Sequence, residues 1–178
     1  MRIVSGKYRS RIIKAPENNL TRPTSDIVRE SLFNVINGKC INANCIDIFA
    51  GSGALGIEAL SRGAKKCVFI DNNYLAIKTI NENLNSLKEQ NYKIYKADYH
   101  IIKKLNEKFD IIFLDPPYKL KVFSLIFDLI IKKDLLNCNG LIIYESDKTG
   151  ALDDNFEGFE FKKYIYRDTV INILKKID

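Results

Sequence analysis

The sequence predicts an α/β fold with a mostly parallel, seven-stranded sheet, helices on both of its faces, and a C-terminal antiparallel hairpin. Five short apolar runs typical of buried strands alternate with segments whose apolar residues recur every three or four positions, as in amphipathic helices. Repeated units of this kind favour parallel strands joined by crossover helices. Two further runs, residues 159–166 and 170–175, have a short polar turn between them, and this pattern predicts the terminal hairpin.

The first 38 residues come before this alternation. The elements predicted there are, in order, a small β-hairpin (residues 2–5 and 11–14), a loop (15–23) and a helix capped by Thr24 or Ser25 and closed by Gly38. The apolar side of this helix is predicted to face the core through Val28, Leu32, Val35 and Ile36. We therefore expect an N-terminal extension over residues 1–38 and a main domain over residues 39–178.

The main domain contains the strand–helix alternation. Its predicted strands are 45–49, 67–71, 92–97, 109–114, 140–145, 159–166 and 170–175. Its predicted helices are 54–62, 74–88, a short one at 99–105, and 123–132. The order of these elements favours one continuous sheet.

Composition narrows the class of protein. A chain of 178 residues with 46% hydrophobic and 28% charged residues is ordinary for one soluble domain with a small extension. No run approaches the ~18 apolar residues of a membrane span, and the charged N-terminus does not resemble a signal peptide, so a cytoplasmic protein is expected. The cysteines, Cys40, Cys45, Cys67 and Cys138, lack metal-ligand spacing and are expected to be buried free thiols. A single histidine, His100, argues against a histidine metal site or a Ser-His-Asp triad.

Positive charge is concentrated at the N-terminus. Residues 1–22 contain six basic residues and one acid, and so hold +5 of the chain's net +6. Arginine is favoured there, and its planar guanidinium pairs bidentately with phosphate. This pattern predicts nucleic-acid contacts, whereas the alternative is a solvated basic hairpin without a partner. The candidate contacts are Arg2, Lys7, Arg9, Arg11, Arg22 and Arg29.

A glycine-rich turn follows the first strand of the main domain. Residues 47–56 read Asp-Ile-Phe-Ala-Gly-Ser-Gly-Ala-Leu-Gly, which fits G-x-G-x-x-G between a strand and a helix. The backbone of such a turn can approach a ligand closely, and an acid at the end of the next strand, here Asp71, can hold ribose hydroxyls. The candidate cofactor contacts in the turn are Phe49, Ala50, Gly51 and Gly53.

Two more acids favour S-adenosylmethionine over a nicotinamide dinucleotide. Asp47 lies inside the first strand, where a carboxylate would repel a pyrophosphate but could serve a cationic amino-acid group. Asp98 closes the third strand, where it could accept a hydrogen bond from an adenine amine. Asp47, Asp71 and Asp98 would then lie at successive strand ends along one edge of the sheet.

The fourth strand ends abruptly at residues 115–118, Asp-Pro-Pro-Tyr. Two prolines hold φ near −65° and donate no backbone hydrogen bond, so the chain leaves the sheet in a rigid turn. The turn would present the Asp115 carboxylate, the Pro116 carbonyl and the Tyr118 ring at the edge where open α/β sheets bind ligands. Two acceptors and an aromatic face suit a planar group with an exocyclic amine. Asp115, Pro116, Pro117 and Tyr118 are therefore the candidate catalytic residues, and Asp115 is also a candidate cofactor contact.

These motifs together resemble a known family. The residues at 47–53, 71 and 115–118 resemble the Rossmann-like class I methyltransferases that modify exocyclic amines. The basic segment 2–11, with Arg-Pro-Thr at 22–24 and Arg-Glu at 29–30, narrows the resemblance to the bacterial RsmD family. The resemblance runs from residue 1 to the terminal hairpin. It also implies a cofactor contact by Asn72, although the segment Asp71-Asn72-Asn73 is less acidic than is common in methyltransferases.

The resemblance implies transfer of a methyl group from S-adenosylmethionine to N2 of a guanine in small-subunit (16S) ribosomal RNA. It implies an RNA partner within a ribosomal subunit or an assembly intermediate. We also expect a monomer with neither a metal nor a membrane. The Asp-Pro-Pro-Tyr motif itself would recognise the exocyclic amine of a substrate and does not distinguish the ring that carries the amine. Adenine N6 in DNA or RNA and a protein glutamine therefore remain alternatives, and a nicotinamide oxidoreductase or a non-catalytic RNA-binding protein is a more remote one.

Overall fold

A computed structural model describes residues 1–16, 26–117, 120–152 and 156–177 of the protein. The strands are β1 (Asn44–Ile48), β2 (Lys66–Asp71), β3 (Tyr92–Lys96), β4 (Phe109–Leu114), β5 (Leu136–Asp147), β6 (Phe159–Tyr166) and β7 (Thr169–Lys176). The α-helices are α1 (Asp26–Val35), α2 (Ala54–Ser61), α3 (Tyr74–Leu87) and α4 (Phe123–Lys132). Short 3₁₀ turns cover Tyr99–Lys104 and Lys148–Gly150.

The strands form one seven-stranded sheet in the order β3-β2-β1-β4-β5-β7-β6. The first five strands run parallel, and β7 pairs antiparallel with both β5 and β6. The predicted fold class is confirmed. The strand order reverses direction between β1 and β4, which creates the crevice at their carboxyl ends where such sheets bind ligands.

Each face of the sheet is covered by a separate apolar layer. Helices α1, α2 and α3 pack on one face, where Cys45, Phe69 and Phe113 point from the strands. Helix α4 and the turn Tyr99–Lys104 pack on the other face against Ile46, Val68 and other strand residues. The alternation of side chains along each parallel strand supplies both layers, which is why these strands read as continuous apolar runs.

The predicted N-terminal hairpin is present in a reduced form. It contains a single antiparallel bridge, between Arg2 and Ile12, instead of two regular strands. The Ile3 amide donates to the Arg11 carbonyl at 2.9 Å, and the Ser10 amide donates to the Ile3 carbonyl at 2.9 Å. We refer to residues 1–14 as the arm.

The arm packs tightly against the main domain. Ile3 and Ile13 are 1% and 2% exposed and belong to the same apolar layer as α1, α2 and α3. Gly6 has φ +84°, and a Cβ added to it would lie 1.8 Å from the carbonyl oxygen of Ser61 at the end of α2. The turn of the arm therefore requires glycine both for its backbone conformation and for its close approach to α2. The predicted boundary after residue 38 stays a prediction.

Several details differ from the sequence prediction. Strand β5 begins at Leu136 and ends at Asp147, beyond the predicted 140–145 at both ends. Val35 was predicted to face the core but is 41% exposed, while Phe33 of the same helix is buried. Because α1 starts after residues 17–25, which lie outside the described residues, its predicted caps at Thr24 and Ser25 also lie outside them.

The cysteines match the prediction except for one. Cys40, Cys45 and Cys67 are free and buried, whereas Cys138 is free but exposed on β5. Burial raises the pKa of the Cys40 thiol to about 12. No helix in the described residues is long and apolar enough to cross a membrane.

Candidate active site

The carboxyl ends of the parallel strands align the predicted site residues along one edge. Ile48 of β1 pairs with Ile70 of β2 and with Leu114 of β4. The residues that come next, Asp71 and Asp115, therefore flank the start of the glycine-rich turn. The structure thus brings together two motifs that are far apart along the chain, since Gly51 and Asp115 are separated by 64 positions.

The glycine-rich turn has the conformation that close ligand approach requires. The amides of Phe49 and Ala50 both donate to the Ile70 carbonyl at 3.0 Å, which anchors the turn to β2. Phe49, Gly51 and Gly53 have positive φ angles of 68°, 55° and 79°. A Cβ added to Gly51 would meet no heavy atom within 4 Å, so this glycine borders open space. The turn thus leaves room for a ligand beside its backbone.

The third glycine of the motif has a different role. A Cβ on Gly56 would lie 2.3 Å from the Phe69 ring and 2.7 Å from the Cys67 sulfur on β2. Gly56 therefore allows α2 to lie close against the sheet, which holds the preceding turn at the sheet edge.

Asp71 ties the glycine-rich turn to the start of α3. Its carboxylate accepts hydrogen bonds from the Gly51 amide at 2.9 Å and from the Asn73 amide at 2.8 Å. Asn73 in turn caps α3, because its side chain accepts from the Leu75 amide at 2.8 Å. The neighbouring Asn72 is exposed. Each carboxylate oxygen has more than one lone pair, so Asp71 keeps acceptor capacity for ribose hydroxyls.

Asp47 is the buried acid of the site. It is 1% exposed, and its Oδ2 accepts from the Gly56 amide at 2.9 Å. Burial, helped by the nearby Asp71 carboxylate and opposed by the Gly56 hydrogen bond, raises the pKa of Asp47 to about 7. A buried carboxylate whose pKa is shifted this far is a candidate functional residue.

Asp98 lies beyond β3 at the same edge but is exposed. It caps the 3₁₀ turn by accepting from the His100 amide at 2.8 Å, and its Oδ1 lies 3.0 Å from the His100 Nδ1. The His100 amide hydrogen bond is the main cause that lowers the pKa of Asp98. The Tyr99 ring stacks on His100 and lies 6.1 Å from the Phe49 ring, measured between centroids. These rings form an aromatic border between Asp98 and the glycine-rich turn.

The proline motif leaves β4 as predicted. Asp115 is half-buried, Pro116 is buried and Pro117 is exposed. The carbonyl of Pro117 accepts a hydrogen bond from the Leu120 amide at 2.7 Å. Tyr118, the last candidate catalytic residue, lies outside the described residues.

Tyr144 was not predicted to be part of this site. It lies on β5 opposite Leu114, the last residue of β4, and is 6% exposed. Burial raises the pKa of its hydroxyl, and the Asp147 and Asp115 carboxylates raise it further. Asp115 therefore has a buried tyrosine as a close neighbour. No sequence pattern pairs β4 with β5, so only an aromatic residue near the end of an apolar run could have signalled it.

The basic residues of the arm are exposed, and Lys7 and Arg11 also bond to the main domain. Arg2, Arg9 and Arg11 are exposed, and Arg11 also donates to the Ser86 carbonyl at 2.9 Å. Lys7 forms an ion pair with Glu89 at 2.7 Å. Arg22 lies outside the described residues.

Arg29 differs from its predicted role as an RNA contact. It is 1% exposed and donates to Asp26 at 2.8 Å and to the Arg2 carbonyl. Its Nε lies 3.7 Å from the carboxylate of Glu58, itself buried. In this position the guanidinium joins α1, α2 and the arm, and offers no surface to a phosphate.

A cavity of about 250 Å³ opens at the opposite edge of the sheet, near the amino ends of β1 and β4. Asp110 borders it, but this carboxylate accepts from the Asn44 amide at 2.8 Å and from the Asn137 side chain at 2.7 Å. Its role is therefore to tie neighbouring strands together. Within the described residues, no group of three or more metal-ligating side chains is positioned to hold an ion.

Comparison with known proteins agrees with this geometry. A family model described as conserved hypothetical protein 95 matches residues 1–175. The chain belongs to this family. A relative from Buchnera aphidicola (subsp. Baizongia pistaciae), named ribosomal RNA small subunit methyltransferase D, is 40% identical over 151 residues, covering 84% of this chain and 77% of the relative. The protein of the same name from Escherichia coli K12 is 33% identical over 153 residues, covering 85% and 77%.

A solved structure shows the same fold. The Escherichia coli protein yhhF superimposes with a TM-score of 0.89 at 28% identity, covering 99% of this chain and 98% of that one. The resemblance to the RsmD family is confirmed. As a member of this family, the protein is a methyltransferase.

Proposed function

We propose that this methyltransferase transfers a methyl group from S-adenosylmethionine to the exocyclic N2 amine of a guanine in small-subunit ribosomal RNA. The observation that supports this most strongly is the juxtaposition of the glycine-rich turn after β1 with Asp115-Pro116-Pro117 after β4, at the point where the strand order reverses. A cofactor bound on one side and an amine held on the other would meet there. Relatives named for methylation of small-subunit ribosomal RNA support the choice of substrate.

The chain's residues fit the proposed cofactor. The open space beside Gly51 accommodates a ligand against the backbone, and Asp71 at the end of β2 suits ribose hydroxyls. Asp47 is buried with a pKa of about 7, so a cationic amino-acid group placed near it would favour its ionised form. Phe49 and Ala50, which are part of the turn, would contact the cofactor, and Asp98 would accept a hydrogen bond from the adenine amine. When bound, S-adenosylmethionine would supply an electrophilic methyl group on a sulfonium, whose carbon–sulfur bond breaks on transfer to leave the neutral thioether S-adenosylhomocysteine.

The residues after β4 would act on the amine. The lone pair of guanine N2 is delocalised into the ring, which makes it a poor nucleophile. Asp115 and the Pro116 carbonyl would accept its two N–H hydrogens and turn the lone pair towards the methyl group. These acceptors contribute by positioning and by electrostatic stabilisation, and Asp115 can also take the surplus proton. The rigid Pro116-Pro117 turn keeps both acceptors in place.

The arm and Tyr118 would bind the RNA. Exposed Arg2, Arg9 and Arg11 suit phosphate contacts, which supply affinity and register but no base identity. Tyr118 would stack on a base turned out of its helix or loop, an interaction worth ~1–3 kcal/mol in base-stacking sites. The same proposal assigns Arg22 to phosphate and leaves the protein a monomer that acts on a ribosomal subunit or an assembly intermediate.

The test is a methyl-transfer assay with unmethylated small-subunit ribosomal RNA transcribed in vitro. Mass spectrometry of the digested RNA should detect N2-methylguanosine when labelled S-adenosylmethionine is present. N6-methyladenosine, or label in a ribosomal protein after adding cell extract, would replace the proposed substrate with one of its alternatives. Absence of transfer to free RNA, followed by transfer to isolated small subunits, would show that the assembled particle is the substrate.

A matched pair of variants separates loss of the methyl-transfer step from a nonspecific loss of activity. Asp115→Asn should lose transfer, while Asp128→Asn should behave as the wild type, because Asp128 is an exposed acid on α4. Equal transfer by both variants would remove Asp115 from the proposed mechanism.

A further inference from the structure

Asn83 is a buried polar residue that the proposed chemistry does not use. It lies on α3, is 2% exposed, and forms three hydrogen bonds through one amide group. Its Oδ1 accepts from the Lys14 amide at 2.8 Å. Its Nδ2 donates to the Lys14 carbonyl at 3.0 Å and to the Ser52 carbonyl at 3.0 Å.

These partners belong to two different functional parts of the molecule. Ser52 stands between Gly51 and Gly53 in the glycine-rich turn, and Lys14 is the last residue of the arm. A single side chain therefore binds the backbone of the cofactor turn and the backbone of the basic arm. A buried amide of this kind keeps fixed distances to its partners, because breaking one of these hydrogen bonds would leave a polar atom of the buried Asn83 side chain without a partner.

Other contacts keep the arm in register with the same helix and turn. The Ser52 hydroxyl lies 3.9 Å from the Met1 sulfur. The amides of Val4 and Ser5 donate to the Glu58 carboxylate on α2 at 2.8 and 3.0 Å, and the Tyr8 amide donates to the Ser61 hydroxyl at 2.9 Å. Helix α2 starts at the glycine-rich turn, so a shift of that turn reaches the arm both through α2 and through Asn83.

We propose that Asn83 is a positioning residue that couples cofactor binding to RNA binding. The proposal rests on the proposed function, in which the turn holds the cofactor and the arm holds RNA phosphates. A cofactor seated against Gly51 restrains the Ser52 carbonyl, and Asn83 passes this restraint to Lys14. The arm then loses less conformational freedom when RNA binds, so each ligand tightens the binding of the other. Linkage requires that the two affinities change by the same factor.

The coupling is measured as a thermodynamic cycle. Calorimetric titration gives the dissociation constant of S-adenosylhomocysteine with and without saturating unmethylated small-subunit ribosomal RNA, and a filter-binding assay gives that of the RNA with and without S-adenosylhomocysteine. In the wild type we expect both to tighten by the same factor, about fivefold or more. In Asn83→Ala we expect this factor to fall clearly below the wild-type factor, because the shared amide is gone and only the contacts through α2 remain.

Asn81→Ala is the matched control. Asn81 is on the same helix and donates only locally, to the Ile77 carbonyl at 2.9 Å, as far as the described residues show. It should keep the coupling of the wild type. An equal coupling factor in Asn83→Ala and the wild type would overturn the proposal, as would a wild-type factor of one.

If Asn83→Ala does not fold, hydrogen exchange of the wild type tests whether cofactor binding restrains the arm. The Lys14 amide is held by Asn83, whereas the Lys133 amide at the end of α4 donates to Leu129 at 3.0 Å, on the other face of the sheet. S-adenosylhomocysteine should slow exchange at Lys14 more than at Lys133. Equal slowing at both amides would refute the coupling.

If the wild type binds neither S-adenosylhomocysteine nor RNA, the proposed function itself fails. This result differs from binding of both ligands without coupling, which contradicts only the role of Asn83.

Discussion

Asp71 combines two roles in one carboxylate. It holds the Gly51 amide, and so the shape of the glycine-rich turn, and it holds the Asn73 amide at the start of α3. The same group is the proposed acceptor for ribose hydroxyls. Removing it should therefore harm the ligand site in two ways, since the hydrogen bond to the ligand and the shape of the turn both depend on it.

We predict that Asp71→Ala weakens binding of S-adenosylhomocysteine by about 10- to 100-fold, because hydrogen bonds to a charged group contribute about 1.5–3 kcal/mol each. Calorimetric titration measures this. Asp128→Ala on α4 is the control and should bind as the wild type does. An unchanged dissociation constant in Asp71→Ala would exclude the ribose assignment.

Asp47 predicts a pH dependence of ligand binding. Its pKa is raised to about 7 in the folded protein, so it binds a proton between its ordinary pKa of 3.8 and 7 that the unfolded chain releases. The folded state is then favoured at low pH and loses stability as pH rises from 3.8 to 7. A ligand with a cationic group needs the ionised carboxylate, so its affinity should change in the opposite sense.

We expect the affinity for S-adenosylmethionine to rise up to about tenfold per pH unit below pH 7 and to level off above it. Asp47→Asn, which keeps a hydrogen-bond acceptor for the Gly56 amide, should flatten this dependence and raise the melting temperature above pH 7. Titrations from pH 5.5 to 8.5 measure both effects. A pH-independent affinity in the wild type would show that Asp47 does not face the cationic group.

Asp115 should matter for the chemical step more than for binding. We predict that Asp115→Ala binds S-adenosylhomocysteine and RNA near wild-type strength but transfers methyl groups about 100-fold more slowly or worse, as removal of a transition-state acceptor does elsewhere. Single-turnover transfer at saturating RNA and cofactor isolates this step. A wild-type rate would make Asp115 a structural residue.

The sequence predicted the acids of the site better than its other members. Asp71 ends an apolar run, Asp115 follows one and Asp47 lies one residue before the end of another. Parallel strands bring their carboxyl ends to one edge, so the neighbourhood of these acids follows from the pattern. Arg29 and Tyr144 required tertiary information. Whether Arg29 faces solvent depends on the arm and α2, and whether Tyr144 meets Asp115 depends on the register of β5.

Among the structural elements, the arm shows which features local sequence patterns predict and which they do not. Alternation of basic and apolar residues predicted a hairpin and an exposed charge pattern, and both are present around Arg2, Arg9 and Arg11. The same alternation did not reveal that Ile3 and Ile13 enter the core of the main domain. Packing between distant segments has no local sequence signal, and neither does the extension of β5 past its apolar run.

The burial of Ile3 and Ile13 decides how the arm must be tested. Deleting residues 1–14 would remove two core side chains, at a cost of about 2–5 kcal/mol for each large aliphatic residue removed, so a truncated protein would confuse folding with RNA binding. Changes confined to the exposed guanidinium groups avoid this problem.

We predict that Arg2→Gln, Arg9→Gln and Arg11→Gln together leave the melting temperature and cofactor affinity unchanged and weaken RNA binding. Removing one phosphate interaction should lower the magnitude of the log–log salt slope by roughly 0.7–0.9, so the triple variant should lower it by about two. RNA affinity across a salt series measures this. A control that removes the same charge from Lys65, Lys132 and Lys133, which are exposed outside the arm, should leave a slope near that of the wild type. An unchanged slope in the arm variant would refute RNA binding by the arm.

At the scale of the whole molecule, one sheet links every part of the site. The carboxyl ends of β1, β2 and β4 hold the glycine-rich turn, Asp71 and Asp115, respectively. Both faces of these strands are buried. A ligand that bridges these strand ends binds the folded state and not the unfolded chain. It should therefore stabilise the domain as a unit, by about 2.7 kcal/mol when its concentration is 100 times its dissociation constant.

This linkage between ligand binding and folding identifies the cofactor. S-adenosylmethionine and S-adenosylhomocysteine should raise the melting temperature by about 5–10 °C at such a concentration, since about 1 kcal/mol shifts the melting temperature of a domain of this size by 2–4 °C. NADH should give no shift, and a shift equal to that of S-adenosylhomocysteine would support the oxidoreductase alternative.

Gly51→Val should remove the ligand-induced shift of the melting temperature, because a branched side chain at φ +55° would fill the open space beside the turn. Gly158→Val carries the same kind of backbone strain, at φ +79° with nothing within 4 Å of an added Cβ, but precedes β6 at the opposite edge of the sheet. It should lower the starting melting temperature and keep the ligand-induced shift, so loss of the shift in both variants would mean that backbone strain, and not the occupied space, explains the effect at Gly51.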